Sequence, residues 1–161
     1  MATAPVVDQF YEAFARRDAA AMAACYHPDA TFEDPAFGAL DRTAACAMWA
    51  MLLERSTDLL VTHRVLNQDG DTLKVQWEAR YTFLRTGRPV VNRIAATFTL
   101  DNDLIRTHRD EFNFWVWARQ AFGPLGFLLG WTPWFHHRVQ SDTLRALASY
   151  RAKRPVQSSA L

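Results

Sequence analysis

Val7, Phe10, Tyr11 and Phe14 fall at i, i+3, i+4 and i+7, so these apolar residues share one face of a helix. Arg16 and Arg17 end that helix, where its dipole favours cations. Asp18 is placed to cap a short second helix over 19–26, and His27-Pro28-Asp29 stops it. Positions 30–33 read as a short strand halted at Pro35, and 37–41 as a loop around Gly38. A third helix over 43–55 carries Ala45, Met48, Trp49 and Leu52 on its apolar side. Beyond it the pattern becomes strand-like. Strands are expected over 59–66, 72–84, 90–100 and 104–114, separated by turn-forming runs at 68–71, 86–88 and 101–103. Such direct connections make a mostly antiparallel meander. Helices first, then strands, then a helical C-terminal region give an α+β fold, with helices on one side of a curved antiparallel sheet.

Composition narrows the class. A chain of 161 residues, half of them apolar and 22% charged, suits one globular domain. That length buries enough surface to need no metal or disulfide staple. Its two cysteines, Cys25 and Cys46, lack the spacing of a zinc site, and the five histidines show no i, i+4 or His-x-His pairing. No metal and no cofactor are therefore expected. A net charge of +1 offers no basic field for nucleic acid. The N-terminus has no basic region leading into an apolar run, which makes a cytoplasmic location the expectation. The most apolar stretch, 112–135, is interrupted by Arg119, Gln120, two prolines and three glycines, so it does not read as a span.

Several of these pieces, in order, resemble the nuclear transport factor 2-like superfamily, which includes ketosteroid isomerases and SnoaL-like cyclases. The run from Phe10 to Asp18 resembles its first helix and capped turn, and the run from Tyr26 to Pro35 the approach to its first strand. The glycine-punctuated meander and the strand Leu104 to Asp110 complete the pattern, which covers roughly 6–114. The resemblance implies a cone-shaped α+β barrel with a deep apolar pocket, closed at one end by helices. It implies one domain over 1–154: a core over 6–114, an extension over 115–154, and a tail at 155–161. The superfamily hosts isomerases, dehydratases, cyclases, epoxide hydrolases and non-catalytic binders, so the site must decide the function.

Asp34 stands where ketosteroid isomerases carry the aspartate that shuttles a proton beside a carbonyl. A carboxylate at a strand end, facing apolar walls, loses solvation, and its pKa rises toward the range useful to a general base. The plainer alternative is that Asp34 caps its own loop. Aligned to the same enzymes, the oxyanion-hole Tyr falls on Phe10 and the oxyanion-hole Asp on Ala96, and neither can donate a side-chain hydrogen bond. His108, Asp110 and Phe112 alternate on one strand face, which the resemblance turns toward the pocket; SnoaL-like relatives carry a His at this place. His108 and Asp110 are thus candidate proton carriers beside Asp34, or else a half-buried structural cluster. Trp77, Tyr81 and Phe83 share another inward face, where packing is the plain role of each ring and the Tyr81 hydroxyl has a ligand oxygen as a candidate partner. Trp49 is expected near the mouth.

The segment 115–154 gathers four of the six tryptophans and ends in a helix from 141 through Leu144, Leu147 and Tyr150, with Arg145, Arg151, Lys153 and Arg154 on its polar side. It reads as a lid, a homodimer interface or a membrane-surface contact, with lid or dimer packing favoured. The expected function is a cofactor-independent isomerase, cyclase or dehydratase. It would act on a hydrophobic oxygenated small molecule, polyketide- or steroid-like, through Asp34, His108 and Asp110. The alternatives are a non-catalytic binder of the same ligands and an association module.

Overall fold

The computed structural model describes residues 5–154; the expected tail at 155–161 lies outside them. α1 (Pro5–Ala15) buries Val6, Val7, Phe10, Tyr11, Ala13 and Phe14, the face set by the apolar spacing. Asp18 caps α2 (Ala19–Ala24) by accepting the Ala21 N–H at 2.9 Å. β1 (Tyr26–Asp34) follows and forms a hairpin with β2 (Gly38–Asp41). Asp41 then caps α3 (Arg42–Arg55) through the Ala44 N–H at 2.8 Å. The meander is β3 (Leu60–Asp69), β4 (Thr72–Phe83), β5 (Arg88–Asp101) and β6 (Leu104–Glu111). Three helices end the described chain: α4 (Phe114–Phe122), α5 (Pro124–Leu129) and α6 (Pro133–Lys153).

The strands make one six-stranded sheet in the order β2-β1-β6-β5-β4-β3. β1 runs parallel to β6, and every other neighbouring pair is antiparallel. The sheet curls without closing, so the expected barrel is an open cone with β2 and β3 as its edges.

Four local expectations change. The first strand begins at Tyr26 rather than residue 30, because Tyr26 pairs with Ile105; a register shift between Tyr26 and Thr31 absorbs Pro28, which has no N–H to give a regular ladder. The expected loop over 37–41 is largely the short strand β2, paired to β1 and burying Leu40. β6 stops at Glu111 because Asn113 caps α4, accepting the Val116 N–H. The last helix begins well before residue 141: Thr132 caps it and Pro133 sits in its first turn, where a missing N–H costs nothing.

Alternation along β4 and β5 turns Leu73, Val75, Trp77 and Ile94, Ala96, Phe98 inward against α1 and α3. A second core joins Val90 to Trp117, Ala118, Ala121, Phe135 and Val139. The C-terminal segment thus builds its own packing at the other end of the cone. α5 can fold back on α4 only through glycine, since a Cβ at Gly126 would lie 1.9 Å from the Ala118 carbonyl oxygen. α6 grips the β1–β2 turn: His136 Nε2 lies 2.6 Å from the Pro35 carbonyl, and Thr143 Oγ1 donates to Ala36 at 2.6 Å.

Candidate active site

Between the concave sheet face and helices α3, α4 and α6 lies a cavity of about 370 Å³. Its wall is mainly apolar, as a small-molecule site requires. Trp49, Trp77, Phe83 and Phe112 contribute to it, as do Trp117 and Phe122 of α4. Asp34, Asp110, Tyr81 and Asn92 are among the polar groups that line it, and Arg55, Arg85, Asp142 and Thr143 also border it. Seven of the sequence candidates therefore meet one space: Asp34, Asp110, Trp49, Trp77, Tyr81, Phe83 and Phe112. Phe10, Ala96 and His108 do not line it; all three are packed within the core. Trp49 is buried in the wall rather than standing at the rim.

The parallel pairing of β1 with β6 sets the two carboxylates together. Phe32 is the Cα partner of His108 and Glu33 of Arg109, so the next step of that register brings Asp34 beside Asp110 on the same face. Burial pushes the Asp34 carboxyl up from 3.8 to about 7, and the nearby Asp110 charge pushes the same way. Two backbone N–H groups oppose the shift: Phe37 at 2.6 Å and Ala36 at 2.9 Å, both donating to Oδ1. Asp34 therefore combines a loop cap with a place in the cavity wall. One oxygen caps its loop, and the carboxyl faces the cavity.

Behind Asp110 lies a closed chain of hydrogen bonds. Trp49 Nε1–H donates to the Tyr26 oxygen at 3.0 Å, and Tyr26 lies 2.8 Å from His108 Nδ1. His108 Nε2 lies 3.0 Å from Asp110 Oδ1, which also accepts the Trp77 Nε1–H at 3.2 Å. The proton order follows from the donors. Trp49 fills one tyrosine lone pair, Tyr26 O–H donates to Nδ1, and the remaining imidazole proton sits on Nε2 and points at Asp110. His108 is 1% exposed, with Phe10, Phe32 and Phe98 rings centred 5.5, 5.0 and 4.2 Å away. The expectation that His108 lines the pocket is thus corrected: aromatic rings enclose it, and it reaches the cavity only through Asp110.

Tyr81 is arranged differently. Its oxygen accepts the Trp117 Nε1–H at 2.9 Å, and its own proton meets no acceptor among the described residues. Burial raises its pKa, and the Asp34 charge adds to that, so the hydroxyl stays a donor. Among the described residues no three His, Cys, Asp or Glu side chains converge so as to hold a metal ion.

A family model for the SnoaL-like domain matches residues 7–108, well over half of the chain. The chain belongs to the SnoaL-like domain family. Solved structures share the fold at low identity. A hypothetical protein with a ketosteroid isomerase-like fold from Catenulispora acidiphila, in complex with trimethylamine, has a TM-score of 0.66 at 18% identity, over 82% of this chain and 100% of that one. A proposed polyketide cyclase from Xanthomonas campestris gives 0.58 at 21% identity, over 73% and 94%. IdmH, a proposed polyketide cyclase from Streptomyces antibioticus, gives 0.62 at 20% identity, over 72% and 95%. No curated protein matches the chain in sequence.

Within this SnoaL-like fold, sequence reasoning missed Tyr26 and Trp117. The local pattern puts Tyr26 at a helix end, and Pro28 hides its alternation with Phe32 on one strand. Trp117 sits in the extension beyond the family pattern, and no local signal ties it to Tyr81 on β4. Ala96 is the Cα partner of Asp110 across β5 and β6. A carboxyl group therefore stands one strand over from the place where the resemblance to ketosteroid isomerases puts one.

Proposed function

We propose that this protein is a cofactor-independent acid–base enzyme that moves a proton on a hydrophobic, oxygen-bearing small molecule of polyketide- or steroid-like type. The reaction class is isomerisation, cyclisation or dehydration. The observation that carries the reading is that Asp34 lines the same apolar cavity as Asp110 and Tyr81, where burial pushes its carboxyl up to about 7. Near neutral pH such a carboxyl is partly deprotonated, so it can both take a proton and return it, which is where a general base works best. Tyr81 supplies an uncommitted O–H to an oxygen on which charge builds. Asp110, held by His108 and Trp77, places a second carboxyl beside the first. His108 acts as a positioning residue in this scheme, because it touches Asp110 and not the cavity.

The family's membership is consistent with this reading, since several neighbours carry the names of proposed cyclases. A non-catalytic binder is the second reading. Two observations favour it: Phe10 and Ala96 offer no donors, and one oxygen of Asp34 already serves two backbone amides. The discriminating experiment uses ligands identified by native mass spectrometry of protein purified from its own host. Asp34→Asn is expected to lower turnover of such a ligand by about 10²–10⁴-fold, the usual worth of a general base, with affinity changed less than about tenfold. Unchanged turnover in the variant removes Asp34 from the chemistry and overturns the scheme, and no turnover by the wild type with affinity intact selects the binder.

A further inference from the structure

We propose that α5 and the turn after it dock this protein on the surface of a lipid bilayer that contains anionic lipids. The sequence pattern favoured lid or dimer packing for the whole segment 115–154, and the structure divides it. α4 and α6 send Trp117, Phe122 and Val139 to the cavity. α5 does the opposite: Gly126 is its one buried residue, and Leu125, Phe127 and Leu128 face water. Trp131 at 72% and Trp134 at 63% exposure extend the same apolar run, with Leu128 at 64%. Only Leu129 of its three leucines packs on the second core, and a helix that hides a glycine and shows Leu125, Phe127 and Leu128 is built for an apolar neighbour.

Charge identifies the neighbour. No Asp or Glu occurs between Glu111 and Asp142, whereas Arg119 and Arg138 are exposed around the apolar run, Arg138 also pairing with Asp142 at 3.7 Å. A second copy of the chain would bring the same basic rim against itself in a symmetric contact, with like charges facing. An anionic lipid surface complements it. The tryptophans suit that boundary as well. Trp131 Nε1–H is already bonded to the Leu128 carbonyl at 2.9 Å, and Trp115 Nε1–H to Phe127 at 3.1 Å, so those rings carry satisfied donors. Trp134 Nε1–H meets no acceptor among the described residues and is free for a headgroup. Among the described residues no helix is long and apolar enough to cross a membrane, so the contact is one of surface docking.

The patch also adjoins the cavity rim. Arg85 lies over the Phe122 ring, and both border the cavity; Leu125 follows Phe122 by three residues across Gly123. The docking proposal stands apart from the catalytic reading.

The test is co-sedimentation of the full chain with vesicles of phosphatidylcholine and phosphatidylglycerol at roughly 70:30, against phosphatidylcholine alone. Binding is expected to the mixed vesicles, weaker to phosphatidylcholine, and reduced by about 0.5 M salt. The triple variant Leu128→Ser, Trp131→Ser, Trp134→Ser should lose binding by at least roughly tenfold while keeping its circular-dichroism melt. Arg119→Glu with Arg138→Glu should weaken binding to the mixed vesicles alone, and it carries the test should the triple variant not fold. The proposal is overturned by a wild-type chain that stays in the supernatant. It is equally overturned by undiminished binding of a folded variant, or by a dimer in analytical ultracentrifugation that depends on these residues and has no affinity for vesicles.

Discussion

Two groups of polar side chains meet at the cavity wall, and they are finished to different degrees. In the Trp49–Tyr26–His108–Asp110–Trp77 chain, each step from indole to hydroxyl to imidazole to carboxylate is a hydrogen bond between 2.8 and 3.2 Å. Around Asp34 and Tyr81 the valences are only part-filled: the two amide bonds fall on one carboxylate oxygen, and the tyrosine accepts without donating. A closed network in a low-dielectric core fixes geometry, because breaking any link strands a buried polar group. Unfilled capacity facing an apolar cavity is what a ligand can use. The first group therefore reads as the frame and the second as the working surface, although Asp110, whose two bonds likewise fall on Oδ1, belongs to both.

His108→Ala tests the frame most severely. It opens a void among Phe10, Phe32 and Phe98, leaves the Tyr26 O–H without its acceptor, and leaves Asp110 with the Trp77 indole alone. A loss of about 4 kcal/mol is expected by chemical denaturation. A loss under about 1 kcal/mol would mean that the network is not a frame.

Asp34→Asn should act in the other direction, and the sign can be worked out. A carboxyl raised from 3.8 to about 7 keeps its proton in the folded state where the unfolded state has released it. The folded state then binds more protons across that window, so stability falls as pH rises from about 4 to about 7. Asn removes the penalty and can still accept the two amide bonds. The variant should gain up to about 4 kcal/mol over the wild type at pH 8, at about 1.36 kcal/mol per pH unit, and nothing at pH 3. Equal pH profiles for the two proteins would place Asp34 in open solvent.

Tyr81→Phe probes the donor without touching the frame. Trp117 loses its acceptor, so stability should drop by about 1–2 kcal/mol. Affinity for a carbonyl ligand should drop about tenfold relative to its deoxygenated analogue, measured by calorimetry. Equal losses for both ligands would show that the hydroxyl serves packing only. The smallest effect belongs to Asp142→Ala at the rim. Its pairs with Arg85, Arg138 and Arg145 span 3.2–3.8 Å and involve arginines open to solvent, so the melting change should stay within about 1 kcal/mol. A larger loss would make the rim part of the frame.

The legible parts of the fold were those written in local repetition. The α1 face, the Asp18 cap, the Asp69-Gly70 and Asn102-Asp103 turns and the long strand β4 depend on residues a few positions apart. β2 is too short to show alternation, and Pro28, a helix breaker by its spacing, sits within β1 at a register shift that accommodates it. Alternation correctly put His108, Asp110 and Phe112 on one face. It could not tell which of them would stand behind another, because depth in a cone depends on what packs in front.

The sequence alone determined the α+β class, the meander, the helix caps, and a set of polar residues too costly to bury without a use. Only the tertiary structure decided how they divide. The parallel pairing of β1 with β6 joined Asp34 to Asp110 across more than seventy residues of chain. The folding-back of α4 and α6 over the sheet gave Tyr81 its indole partner and turned α5 outward. A desolvation shift, a proton order and an exposed patch all depend on neighbours brought from distant parts of the chain, and local periodicity carries no record of them.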